Sequence, residues 1–264
     1  MRRLLGVGLV TIACLAQGEV PREVLLLARI QQQTRQRLAR MPDYTCVETI
    51  ERFERQPQRS QFRYVDTVRL EVAHVGDKEL YSLPGAQKFE ESDVARLVGS
   101  GMTSSGDFVQ HLRAVFTGGY AQLTYGGEGE IDGRRVVRYS YRIAQSFSGY
   151  RLRIGRREGI VASSGFFWAD PETLEVLRLE VRAEEIPPDV PVLSAITRID
   201  YGKVRIGDSE VLLPQVAELE MTELSWRQSR NRIQFTDCRQ YVGESTVMFV
   251  ESEVTYGPPA KKQK

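Results

Sequence analysis

The chain has 264 residues, 41% hydrophobic and 27% charged, with a formal net charge of +1. That is enough apolar material for a substantial core and sets a prior of one large domain or two small ones. It lacks the basic field that a nucleic-acid binder needs to offset phosphate charge, so nucleic acid is not expected as a partner.

Met1-Arg2-Arg3 leads into an apolar run, Leu4 to Ala13, and then Ala16-Gln17-Gly18. A basic start, a short greasy centre and small residues at −3 and −1 make the pattern of a secretory signal peptide, residues 1–18, cleaved before Glu19. About ten apolar residues are too few to cross a bilayer, so the mature form is expected to carry no transmembrane anchor. The expected location is the periplasm or the exterior. Two alternatives stand beside this: a buried N-terminal helix, and a lipid anchor on Cys14, where Thr11-Ile12-Ala13-Cys14 departs from a lipobox at Thr11.

Cleavage leaves Cys46 and Cys238. An even count in an oxidising compartment predicts a disulfide that closes most of the chain, with two separate buried thiols as the alternative. Two cysteines and two histidines (His74, His111) without ligand spacing give no metal site, and no cofactor is expected.

The spacing of Leu27, Ile30, Thr34, Leu38 and Met41 predicts a helix over Pro21 to Met41, started and stopped by prolines. From Tyr44 the period falls to two. Val137, Tyr139, Tyr141, Ile143 alternate with Arg138, Ser140, Arg142; Leu177, Leu179, Val181 alternate with Arg178, Glu180, Arg182; and Phe62, Tyr64, Val68, Leu70, Val72 form a third apolar face. Half-buried antiparallel strands produce such alternation. Gly76-Asp77, Asp132-Gly133, Gly207-Asp208 and Asp170-Pro171 supply the turns. Ser92 could cap a short helix through Val98, Gly99–Gly106 forms a linker, and a second helix carries Phe108, Leu112, Val115 and Phe116. Residues 19–256 are expected to form a single domain and 257–264 a disordered tail. The expected class is mainly β with a few helices (α+β): roughly ten strands in a large curved antiparallel sheet or unclosed β-barrel, with an N-terminal helix and a short helical lid.

The chain carries no G-x-S-x-G elbow, and GSGMTSSG lacks the lysine of a phosphate loop. His74 lies eight residues from Asp66 on one strand, over 25 Å at about 3.3 Å per residue, so the two cannot pair. His74 is expected to be buried or at a rim, and His111 exposed. No catalytic residue is expected. Aromatic residues offer more: Phe166-Phe167-Trp168 before the Asp-Pro turn, and Tyr139 and Tyr141 on one strand face, are either ordinary core or the lining of a cavity.

The first strand, Asp43-Tyr44-Thr45-Cys46-Val47-Glu48-Thr49-Ile50-Glu51-Arg52-Phe53, follows an amphipathic helix in an exported chain. Later Phe167-Trp168-Ala169-Asp170-Pro171-Glu172-Thr173-Leu174 turns back into Leu177-Arg178-Leu179. This layout resembles the periplasmic lipoprotein-carrier (LolA/LolB-like) superfamily, which includes outer membrane lipoprotein-sorting proteins, and also a group of uncharacterised secreted bacterial proteins. The resemblance implies an unclosed β-barrel around a hydrophobic cavity covered by helices, with lipid or lipoprotein acyl chains as partners. Phe108, Leu112 and Phe116 would then face Tyr139, Tyr141 or Trp168 across the ligand space. Three functions follow: a non-enzymatic envelope protein binding acyl chains; an envelope scaffold or interaction protein on the same fold with a filled core; and an unrecognised carboxylate-based hydrolase.

Overall fold

The computed structural model describes residues 19–76, 78–86, 89 and 108–241. The leader with Cys14, the helix from Ser92, the Gly99–Gly106 linker, Asp77 and the tail 257–264 lie outside the described residues. Helix α1 spans Arg22–Ala39, with Pro21 at its start and buried Ile30, Thr34 and Leu38 on the predicted stripe. The second described helix, α2, spans Phe108–Phe116, with Phe108, Val109, Leu112, Val115 and Phe116 buried. The main chain of Thr117 and Gly118 and the Thr117 hydroxyl all donate to the Arg113 carbonyl, and Gly119 leaves at φ +75°. The last-turn carbonyl is thereby satisfied before the chain turns away.

The strands are β1 (Tyr44–Arg55), β2 (Arg63–Val75), β3 (Lys78–Ser82), β4 (Gln122–Ile131), β5 (Arg134–Ile143), β6 (Arg151–Ile154), β7 (Arg157–Ile160), β8 (Ala162–Ala169), β9 (Val176–Glu184), β10 (Val192–Ile206), β11 (Ser209–Glu223) and β12 (Gln228–Gln240). Ten of them form one sheet in the order β3-β2-β1-β12-β11-β10-β9-β8-β5-β4, and β6 pairs with β7 in a separate hairpin. Every pairing in the large sheet is antiparallel, and its edges β3 and β4 are not joined, so the barrel is unclosed. The tight turns use left-handed backbone where the sequence offers it: Asp132 and Gly133 between β4 and β5, Gly207 between β10 and β11.

Two neighbouring rungs show how the sheet divides inside from outside. Val68, Ile50, Ile233, Ala217, Ile199, Leu179, Phe167, Tyr139 and Tyr125 stand opposite one another from β2 to β4. This row faces the helices. One residue along each strand, the next rung reads Glu51, Arg232, Glu218, Arg198, Glu180 and Phe166 from β1 to β8. That row faces away from them. Alternation with period two, repeated at matched register, produces one apolar and one charged face. The β6–β7 hairpin extends the interior at one end, where Leu152 joins Val161, Val190, Val192, Ala195 and Met221.

Bulges move some residues off their expected faces. Between Trp168 and Ala169 the β8–β9 register shifts from Arg178 to Val176, so Leu177 becomes the extra residue and Val176 takes the inner place. A second shift pairs Arg52 with Asp66 but Phe53 with Tyr64. Tyr64 therefore shares the outer face with Phe53 instead of continuing the line of Val68, Leu70 and Val72, and it is 53% exposed. Phe62 precedes β2 and lies under the guanidinium groups of Arg55 and Arg230. In each case one inserted residue reverses the parity of those beyond it.

Candidate functional site

The candidate site is the seam between α2, the start of α1, and the inner face of β5 and β8. Its ring contacts are close. Phe116 meets Phe167 edge-on at 4.9 Å, Phe167 stacks on Tyr139 at 5.2 Å, and Phe108 meets Phe235 at 5.6 Å. Edge-to-face and offset rings at these separations are in van der Waals contact. Phe108, Leu112, Phe116, Tyr139 and Tyr141 are each at most 4% exposed and belong to one cluster. The structure thus brings five of the six expected residues together in one buried cluster.

Trp168 is not among them. It follows Phe167 on β8 and therefore points to the opposite face, half-buried beside Phe166 with Arg138 and Arg178 as cross-strand neighbours. Phe167 occupies the place that the sequence reading gave to Trp168. In Phe166-Phe167-Trp168 three consecutive aromatic residues hide which parity is inside; the small residues Ser163, Gly165 and Ala169, on the same pleat as Phe167, are the available signal.

The inner tyrosines use their hydroxyls as latches. Tyr139 donates to the Glu23 carbonyl at the start of α1 at 2.8 Å, and Tyr201 to the Phe108 carbonyl at the start of α2 at 2.8 Å. Tyr141 donates to the Glu180 carbonyl of β9 at 3.0 Å. Gly165 permits this last contact, because a Cβ there would lie 1.9 Å from the Glu180 oxygen. Burial raises the Tyr139 and Tyr150 pKa values to about 12 and pushes Tyr44, Tyr141 and Tyr201 upward as well, in Tyr44 against the opposing charge of Arg113. These hydroxyls hold their protons at neutral pH and serve as donors.

A consequence follows for alkaline stability. The folded-state values lie above the unfolded value of 10.0, so the unfolded chain binds fewer protons once pH passes 10. Stability should be unaffected by these groups up to about pH 10 and fall between pH 10 and about 12. Denaturant midpoints measured across that window, together with tyrosinate absorbance, check this. Ionisation of the buried tyrosines, beyond that of exposed Tyr64, Tyr120 and Tyr125, well before loss of structure would show that the hydroxyls are not latched.

Beside the seam the interior carries polar groups. His74 is 2% exposed and stacks on Tyr44 at 5.3 Å, and Glu48 is fully buried between Leu70 and Phe235 in register. His111, expected to be exposed, is half-buried edge-on to Tyr150 at 5.0 Å, because the β6 approach covers that side of α2. Next to this region Cys46 and Cys238 form a disulfide, with Cα atoms 4.1 Å apart. One extra β12 residue at the Thr45/Val47 register shift, with Asp237 at φ +51°, turns Cys238 inward to meet Cys46.

The open face is built from arginine–carboxylate pairs. Glu180 accepts from Arg182 at 2.8 Å and Arg198 at 3.1 Å; Arg232 pairs with Glu218 at 3.4 Å and Arg178 with Asp200. Arg138 stacks over Phe166 at 5.1 Å and Arg232 over Phe53 at 5.4 Å. Apart from those of Glu180, whose carboxylate is buried, these part-exposed pairs contribute about 0–1 kcal/mol each, so they keep a broad β face wet more than they stabilise it. A shallow depression of roughly 320 Å³ crosses this face between the Thr49–Gln234–Val216 and Glu51–Arg232–Glu218 rungs.

No family model matches the chain. No curated protein matches it. Among solved structures it is similar to a LolA superfamily protein from Nitrosomonas europaea at 12% identity, covering 81% of this chain and 93% of that one, with TM-score 0.43. It is similar to a domain assigned to outer membrane lipoprotein sorting from Vibrio parahaemolyticus at 12% identity, 81% and 92% coverage and TM-score 0.42. A DUF1329 family protein from Desulfovibrio piger gives 12% identity, 82% and 92% coverage and TM-score 0.41.

Proposed function

We propose that this chain is an exported, non-catalytic binding protein of the bacterial envelope whose interior is filled by its own side chains, so that it binds through its surface. This is the second of the three functions read from the sequence. The observation that carries it is the packed seam: α1 and α2 are latched to the sheet by tyrosine hydroxyls, and Phe116, Phe167 and Tyr139 lie in direct ring contact where a ligand space was expected from the sequence. A carrier would have to lift α2 and expose five buried apolar side chains before its ligand could enter. The Arg2-Arg3 leader pattern supports export, and the Cys46–Cys238 bond fits an oxidising compartment.

Native mass spectrometry of the protein purified from periplasm tests this reading. The expected result is the mass of the chain beginning at Glu19, with no adduct. A stoichiometric co-purified lipid would overturn the filled interior and restore acyl-chain binding, with Phe108, Leu112, Phe116, Tyr139 and Tyr141 as the lining.

A further inference from the structure

The turn between β11 and β12 departs from what its backbone favours. Trp226 donates its main-chain N–H to Glu223 and Glu223 donates to the Arg227 carbonyl, both at 2.9 Å, which encloses Leu224, Ser225 and Trp226 as a three-residue hairpin loop. In such loops the third residue is left-handed, a position where glycine carries no steric cost. Here it is a tryptophan at φ +63°. A bulky side chain in that region is strained; such positions cluster at functional sites, and Leu174 at φ +58° is a second one here, so the exposure of the indole is what sets Trp226 apart.

The indole gains no burial from its position. Trp226 is 67% exposed, more than any other large hydrophobic residue among those described. Leu224, beside it in the turn, is 53% exposed, and Leu193 is 42% exposed where β10 begins. The Leu224 N–H bonds to the Pro191 carbonyl at 3.1 Å, so the β10 entry lies against the tip. On the other side the Arg55 guanidinium reaches both the Gln228 side chain and the Ser60 carbonyl, joining the β1–β2 turn to the same end of the sheet. That turn presents Arg59 and Arg63, both exposed and neither ion-paired among the described residues. At the tip Glu223 is occupied by Arg227 at 2.7 Å, and Glu54 stands opposite Arg63 in the β1–β2 register.

We infer that this end of the sheet is a docking tip for an anionic lipid bilayer, with Trp226, Leu224 and Leu193 entering the interface and Arg59 and Arg63 meeting lipid phosphates. Indole and leucine at a protruding turn suit the headgroup boundary, where one side of the ring is wet and the other apolar. Three side chains are far too little for a stable protein interface, which needs about 800 Å² from each partner. They are enough for interfacial insertion when unpaired cations stand beside them, because anionic headgroups attract juxtamembrane arginines. No described helix is long and apolar enough to cross a membrane, so this contact would be peripheral. It goes beyond the closed interior and does not depend on it: co-purified lipid would count against the interior and leave the tip untouched.

The test is co-sedimentation of the mature chain with vesicles of equal parts phosphatidylglycerol and phosphatidylcholine, beside pure phosphatidylcholine. Wild type should bind the anionic vesicles more tightly, and added salt should weaken that binding. W226G should lose about tenfold in vesicle affinity, the effect of withdrawing part of an indole's apolar surface. Its melting temperature should stay level or rise, because glycine suits the left-handed position. A paired R59Q/R63Q variant should bind anionic and neutral vesicles alike. The proposal is overturned if wild type ignores anionic vesicles, if W226G binds as wild type does, or if W226G melts lower, which would make the indole a packing residue. Loss in W226G of a protein partner, without vesicle binding, would assign the tip to that protein and likewise overturn it.

Discussion

Replacing Cys46 and Cys238 together with serine is expected to lower stability by about 5 kcal/mol, the chain-entropy estimate for so long a loop. The bond joins residues 192 apart in sequence, so its loss frees nearly the whole chain in the unfolded state. For a chain of this size that corresponds to a melting temperature lower by roughly 10–20 °C. The effect is also local. The bond ties the first turn of β1 to the far end of β12, where the register shift leaves the ladder interrupted between Thr45 and Val47. Thermal unfolding of wild type with and without reductant, beside the double-serine variant, measures it. Reduced wild type and the variant should melt together. A variant that melts within a couple of degrees of oxidised wild type would mean that the bond contributes nothing to the fold.

The contrast between Phe167→Ala and Trp168→Ala should be nearly as large. Phe167 is fully buried, touching Phe116 and Tyr139, so its truncation removes apolar burial and leaves a cavity costing about 3–5 kcal/mol. Trp168 lies on the open face beside Phe166, and its truncation should cost about 1 kcal/mol. Denaturant unfolding of the two variants gives the comparison directly. If Trp168→Ala were the more damaging, the assignment of faces on β8 would be inverted, and with it the claim that α2 closes on Phe167.

Much of this architecture was open to reading from the residues alone. The helix from Arg22 to Ala39 follows from its apolar spacing between two prolines, and α2 from Phe108, Leu112 and Phe116. The strands follow from alternation, and the hairpins from Asp132-Gly133 and Gly207-Asp208, because turn chemistry and side-chain period are properties of a few adjacent residues. An even cysteine count in an oxidising compartment pointed to the Cys46–Cys238 bond, with two separate thiols as the alternative that the structure removes. None of these inferences requires knowing which strand lies beside which.

Parity, filling and strain were decided elsewhere. Three adjacent aromatics on β8 satisfy either face, and only the pairing with β5 and β9 turns Phe167 inward and Trp168 out. Tyr64 and Leu177 were misplaced for the same reason: a bulge is visible only against the partner strand, and one extra residue reverses everything after it. Whether the seam holds a ligand or its own side chains depends on the summed volume of residues from α1, α2, β5, β8 and β12, which no local pattern records. Trp226 reads as an ordinary hydrophobic residue between two strands; only the closed hairpin gives it a left-handed backbone and leaves its indole in water. Local chemistry wrote the elements and their two faces, and long-range pairing decided which side chains each face finally holds.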